Sequence, residues 1–219
     1  MDHVYQQIQG WFDYEDVYAE MLRHVPSGGT IVEIGAWLGR STAYMAVEIA
    51  NSGKQVRFYT VDTWLGSPQE PIHMQIIRSH SGSIYELFLD NMRRGKLLEC
   101  VRPIHLPSTE AAHWFESSSV DFCFIDAAHD FASVRNDILA WLPKIKPGGF
   151  LGGHDVNGFK VAPAVKSVLP WSEVRIVGAS WLWTKPPVPP DPHLVNPQPA
   201  HPPGIPRLRP LRQLPKRPR

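Results

Sequence analysis

The chain has too few cysteines, apolar runs and unbalanced charges for several classes of protein. Two cysteines in 219 residues cannot make a disulfide framework. Cys100 and Cys123 both fall in stretches with strand character, so buried thiols are expected, and neither has a metal-ligand spacing. No segment approaches the ~20 consecutive apolar residues that span a bilayer, so no membrane partner is expected. The N-terminus, with Asp2 and Tyr5 among polar residues, lacks the basic-then-apolar shape of a secretory leader. A cytoplasmic location follows as the expectation. No internal repeat is present, and a formal net charge of +1 gives no broad attraction for nucleic acid.

That small net charge hides a division. Of 22 prolines, 13 lie after Lys185, together with six basic residues (Arg207, Arg209, Arg212, Lys216, Arg217, Arg219) and one acid, Asp191. The first 185 residues therefore hold 16 basic and 20 acidic groups, about −4. The chain length suits one α/β domain with an appendage. We expect a folded domain over residues 1–185 and a Pro-rich basic tail over 186–219, disordered or polyproline-like because proline removes donors and helical options. A solvated linker is the plain reading of the tail; a docking arm for a partner or an anionic surface is the sharper one.

What is present is organised around Ile31-Val32-Glu33-Ile34-Gly35-Ala36-Trp37-Leu38-Gly39-Arg40-Ser41-Thr42. A short apolar run, an acid, two glycines four apart and two hydroxyl residues spell a buried strand turning into a helix. Gly35 permits torsions closed to other residues, and Gly39 lets the helix start pack against the strand or a ligand. The next strand, 56–61, ends in Asp62, where a doubly wound sheet holds ribose hydroxyls. Together these describe a nucleoside pocket. The pattern is Glu-x-Gly-x-x-x-Gly, not the dinucleotide Gly-x-Gly-x-x-Gly. A pyrophosphate wants a helix N-terminus with no acid beside it, whereas Glu33 favours a cationic or zwitterionic nucleoside.

A second chemical stretch runs from Val120 to Asp130. Its nearly continuous apolar strand suits the centre of a parallel sheet, and it ends in Asp126 with His129 three residues on. The following strand, 150–153, ends in His154-Asp155. Two neighbouring strands thus aim Asp126, His129, His154 and Asp155 at one place.

Around these stretches, helical spacing is expected over 15–24, 41–50, 84–94, 134–142 and 161–169, with strands near 101–104, 174–177 and 181–184. Trp11, Phe12 and Tyr14 either close the pocket or pack in the core. Residues 63–75, with Trp64, Gly66, Pro68 and Pro71, have loop character. The insertion 63–83, with His73 and His80, lies where open α/β sheets bind ligands and is expected to face the substrate. Ser108 is expected to cap a helix.

Glu33 to Gly39 resembles the S-adenosylmethionine loop of class I methyltransferases. In order along the chain, Asp62-Thr63-Trp64-x-Gly66-Ser67, Ile125-Asp126-Ala127-Ala128-His129-Asp130-Phe131, Lys146-Pro147-Gly148-Gly149 and Gly152-Gly153-His154-Asp155 resemble the group containing macrocin-type sugar O-methyltransferases. The likeness covers about residues 10–185. It implies a Rossmann-like, doubly wound, seven-stranded, mostly parallel sheet with an antiparallel last strand and helices on both faces. It also implies S-adenosylmethionine held by Glu33, Gly35, Ala36, Gly39, Ser41, Thr42, Asp62, Thr63, Ser108 and Asp126. Its Asp-x-x-His motif assigns a metal-side aspartate to Asp126 and a candidate base to His129, with Asp155 assisting. Relatives place two consecutive acids at the fifth strand for Mg²⁺; His154-Asp155 stands there in this chain. Since Mg²⁺ prefers oxygen ligands, this departure leaves three readings for Asp126, His154 and Asp155: Mg²⁺, a softer divalent ion, or no ion.

The acceptor implied is a sugar or another small hydroxylated molecule. A homo-oligomer is open to a chain with eight tryptophans. Two other readings remain open at this point: a nicotinamide-dependent oxidoreductase on a similar sheet, which Glu33 and the glycine spacing disfavour, and a non-catalytic nucleoside-binding scaffold.

Overall fold

A computed structural model describes residues 1–67, 71–158 and 160–188. Val188 is the last described residue, so the expectations for the Pro-rich tail from position 189 on lie outside the described residues. The strands are β1 (Thr30–Ile34), β2 (Arg57–Asp62), β3 (Arg102–His105), β4 (Val120–Ile125), β5 (Ile145–Gly153), β6 (Arg175–Val177) and β7 (Ser180–Thr184). They form one seven-stranded sheet in the order β3-β2-β1-β4-β5-β7-β6. β1 to β5 pair in parallel, while β7 runs antiparallel to both β5 and β6. The expected architecture is thus the observed one. Chain order reverses direction between β1 and β4, and the crevice beyond the carboxyl ends of those two strands is where this sheet type binds ligands.

The helices are α1 (Glu15–His24), α2 (Arg40–Ser52), α3 (Pro71–Ser79), α4 (Tyr85–Arg94), α5 (Ser108–Ala111), α6 (Phe131–Trp141) and α7 (Val161–Lys166). Strand alternation sorts the core onto two faces. Ile31, Phe122 and Phe124 pack with Val17, Met21, Met45 and Phe88 on one side; Val32, Cys123 and Ile125 pack with Ile138, Trp141 and Val165 on the other. Cys123 is buried, as expected, and Cys100 half-buried; both are free thiols.

Local chemistry explains the ends of α1. Glu15 and Asp16 stand in its first turn and Arg23 and His24 in its last, matching the helix dipole. Lys54 Nζ donates to the carbonyls of Leu22, Arg23 and Val25, satisfying the acceptors that α1 leaves open. Asp130 caps α6, its carboxylate accepting from the amides of Ala132 and Ser133.

Three local expectations need correction. Part of the stretch read as loop forms α3, because Pro71 occupies the first helical position, where a missing N–H breaks nothing. β5 begins at Ile145, five residues earlier than expected, and takes Pro147-Gly148-Gly149 into the strand through a register shift opposite Val120 and Phe122. Ser108 makes no capping bond; Pro107 precedes the helix, and the Ser108 hydroxyl accepts from Trp141 Nε1 at 2.9 Å. Among the described residues no helix is long and apolar enough to cross a membrane.

Candidate active site

The turn after β1 is held from beneath by a buried acid. Glu33, 1% exposed, points off the strand and accepts from four hydroxyls: Tyr18 at 2.9 Å, Ser41 at 2.7 Å, Thr60 at 2.8 Å and Thr42. Burial pushes its carboxyl above the usual range, and the hydroxyl bonds to Thr42, Ser41, Thr60 and Tyr18 oppose that shift. Ser41 and Thr42, expected beside the cofactor, are thus buried with their hydroxyls turned to Glu33.

From the side, the turn is held by Asp62. Its Oδ2 accepts from the amides of Ala36 and Trp37 at 2.8 and 2.9 Å, and its Oδ1 from the amide of Trp64 at 2.7 Å. Three of the roughly four acceptor positions of a carboxylate are therefore occupied. Gly35, at φ +91°, lies against the end of β4: a Cβ there would stand 2.0 Å from the Asp126 carbonyl oxygen. Gly39, also at φ +91°, makes room for Met92 and Phe88 of α4. At both glycines the side where a Cβ would project is therefore filled by protein. Thr63 offers its carbonyl to His105 Nε2 at 2.9 Å, and Ser108 faces α6.

At the ends of β4 and β5 the four expected polar residues do meet. His129 Nε2 lies 2.9 Å from Asp155 Oδ2 and 3.9 Å from Asp126 Oδ1. His154 Nδ1 lies 3.5 Å from Asp155 Oδ2 and 4.0 Å from Asp126 Oδ1, while its Nε2 lies 2.9 Å from Asp13 Oδ1. Asp126 and then Asp155 push the His129 imidazole up to about 10. His129, followed by His154, holds the Asp155 carboxyl well below the usual range. For His154, burial works against protonation, but Asp155, Asp126 and Asp13 outweigh it, and the net direction is upward. The ligand atoms of Asp126, His154 and Asp155 all lie within 4.8 Å of one another. These are the residues that could hold a divalent ion, with two carboxylate oxygens and one imidazole nitrogen as donors.

Sequence reasoning offered Trp11, Phe12 and Tyr14 as closing the pocket or packing in the core, but missed the polar contacts of this N-terminal segment. Tyr14 donates to Asp126 Oδ2 at 2.8 Å, across 112 positions of sequence, and Asp13 reaches His154. Trp11 and Trp37 flank His73 of α3, with ring centroids 5.6 and 4.0 Å from it. The only signal was the cluster Trp11-Phe12-Asp13-Tyr14 just before a helix, which does not say what it touches.

A family model described as a methyltransferase domain matches residues 32–156, from β1 through the whole polar cluster. The chain belongs to that methyltransferase family. Membership decides for a class I methyltransferase over a nicotinamide oxidoreductase. An uncharacterized protein of Sinorhizobium fredii is 26% identical over 151 residues, 65% of this chain and 16% of that protein. The methyltransferase domain thus spans a small fraction of that curated relative's length. Among solved structures, the O-methyltransferase NovP superposes with a TM-score of 0.61 at 18% identity, covering 79% of each chain. CalS11, described as a TDP-rhamnose 3′-O-methyltransferase, superposes with a TM-score of 0.53 at 14% identity, covering 78% of this chain and 77% of that one. Identities this low speak to the shared fold.

Proposed function

We propose that this methyltransferase domain moves a methyl group from S-adenosylmethionine to a hydroxyl oxygen of a small acceptor, a sugar in the first instance. The observation that carries the reading is the meeting of Asp126, His129, His154 and Asp155 at the ends of two central strands, against the turn that Glu33 and Asp62 hold. The names of NovP and CalS11 support oxygen as the accepting atom, and that of CalS11 supports a sugar.

In this reading the turn from Gly35 to Gly39 would hold the cofactor, and the remaining acceptor position of Asp62 would take one ribose hydroxyl. The acceptor oxygen attacks the methyl carbon in line, the carbon–sulfur bond breaks, and the sulfonium leaves as a neutral thioether. The sulfonium is already an activated leaving group, so alignment and removal of the acceptor proton remain for the protein. His129 takes that proton. Asp126 and Asp155 raise the His129 imidazole above its ordinary range, so positive charge near those carboxylates would make it a more competent base. A divalent ion held by Asp126, His154 and Asp155 would supply such charge and acidify the acceptor hydroxyl.

The test is calorimetric titration with S-adenosylhomocysteine and NAD, followed by a screen of sugar, phenolic and small-metabolite acceptors with labelled methyl donor, with and without Mg²⁺ or Mn²⁺. We expect binding of the nucleoside thioether alone, labelled sugar product, and a loss of ~10²-fold or more in kcat for His129→Ala. No affinity for the thioether, or full kcat in a folded His129→Ala protein, would overturn the cofactor or the base respectively.

A further inference from the structure

Two tyrosines one helical turn apart tie the cofactor turn to the reacting carboxylate. Tyr18, in the first turns of α1, donates to Glu33 Oε1 at 2.9 Å; Tyr14, immediately before α1, donates to Asp126 Oδ2 at 2.8 Å. Their rings lie 5.1 Å apart, centroid to centroid, and Tyr14 also packs on Phe12, Phe124 and His154 at 4.7, 4.7 and 4.9 Å. Tyr14 is 4% exposed, so its ring has one placement and its hydroxyl one direction. The ring contacts hold the residue in position; the hydroxyl has a separate task.

That task follows from what Asp126 must do. A carboxylate at a strand end turns readily about its last torsion, and with both oxygens free Asp126 would pair with His129 or His154 through either one. The Tyr14 bond removes Oδ2 from this choice and leaves Oδ1 facing both imidazoles, at 3.9 and 4.0 Å.

We propose that Tyr14 is a positioning residue for methyl transfer: its hydroxyl fixes the rotamer of Asp126 so that a single oxygen serves the reacting centre. Tyr18, docked on Glu33, sets the height of Tyr14 above the sheet and so registers the cofactor turn with the base. The inference rests on the function proposed above, and goes beyond it by assigning the control of Asp126 to a residue outside the matched region 32–156.

The experiment compares Tyr14→Phe and Tyr18→Phe in the full chain, using the acceptor that the screen identifies. Wild-type turnover and S-adenosylhomocysteine binding are measured first, and their absence refutes the underlying function and this inference with it. With wild type active, Tyr14→Phe keeps every ring contact and should lower kcat ~10- to 100-fold, the range for removing an outer partner of a functional ligand. Its acceptor KM and its calorimetric Kd for S-adenosylhomocysteine should stay within about threefold of wild type. Tyr18→Phe should show the opposite split, a Kd raised several-fold with a smaller fall in kcat. Wild-type kcat in Tyr14→Phe overturns the inference while leaving the proposed function standing. So does a fall in kcat matched by equal losses of affinity in both variants, because a merely structural role predicts that pattern.

Discussion

Gly35 and Asp126 touch through their main chains. A methyl group on Gly35 would stand 2.0 Å from the Asp126 carbonyl oxygen and 2.9 Å from the Ala127 Cα, and the position has φ +91°. Both atoms are backbone and neither can swing away. Since Asp126 N also donates to the Ile34 carbonyl at 2.8 Å, any shift is felt where the Asp126 side chain begins. Gly35→Ala is therefore expected to destabilise the domain by at least about 2 kcal/mol, a fall in Tm of ~5 °C or more. It should also weaken S-adenosylhomocysteine binding. A variant with wild-type Tm and Kd would show that the contact is not rigid.

Asp62 serves the turn before it serves any ligand. Replacing it with alanine leaves the amides of Ala36, Trp37 and Trp64 without their acceptor, and a buried donor left unpaired costs about 1–3 kcal/mol. Asp62→Asn keeps one acceptor oxygen and should fall between wild type and alanine. The expected order in both Tm and affinity for S-adenosylhomocysteine is wild type, Asn, Ala. If affinity fell for both variants while Tm stayed constant, Asp62 would act on the ligand alone.

The strand-end pair His154-Asp155 makes a prediction about metal choice. The substitution His154→Asp turns the donor set into three carboxylates at the ends of β4 and β5, the all-oxygen type that Mg²⁺ favours. Calorimetric titration should show affinity for Mg²⁺ rising relative to Mn²⁺ and Zn²⁺. The variant also loses the contact from His154 Nε2 to Asp13, so a Tm measurement belongs beside the titration. An unchanged preference would remove His154 from the ligand set.

How much of this was legible depended on sequence distance. Strand-end residues announce themselves, because an apolar run that stops at Asp62, Asp126 or His154-Asp155 places a polar group at the sheet rim whatever else the fold does. The helices α1, α4 and α6 followed from spacing. What stayed hidden depends on partners far away in the chain. Ser108 looked like a cap, since its context was local, but the Trp141 indole, 33 residues on, claims its oxygen. Tyr14 looked like one more aromatic in a cluster, because nothing local points to Asp126. Pro68 and Pro71 suggested a loop, and only the surrounding structure shows that Pro71 starts a helix.

Asp137 gives the clearest pH dependence. It lies on α6, 7% exposed, and burial pushes its carboxyl up to about 6, against the pull of the Ser108 hydroxyl and with a smaller upward push from Asp130. Because the folded value exceeds the unfolded one, near 3.8, the folded protein holds this proton more tightly than the unfolded chain. The sign follows: the group favours folding most at low pH, and that advantage is lost as pH rises from about 4 through 6, leaving a buried charge at neutral pH. Asparagine has nearly the same shape, accepts from Ser108 and carries no charge. Asp137→Asn should therefore raise stability at pH 7.5 by about 2–3 kcal/mol, two pKa units being ~2.7 kcal/mol, and should change it little at pH 4. Thermal melts of both proteins at the two pH values check this. Equal Tm differences at pH 4 and pH 7.5 would mean that the carboxylate finds compensation that Ser108 alone does not provide.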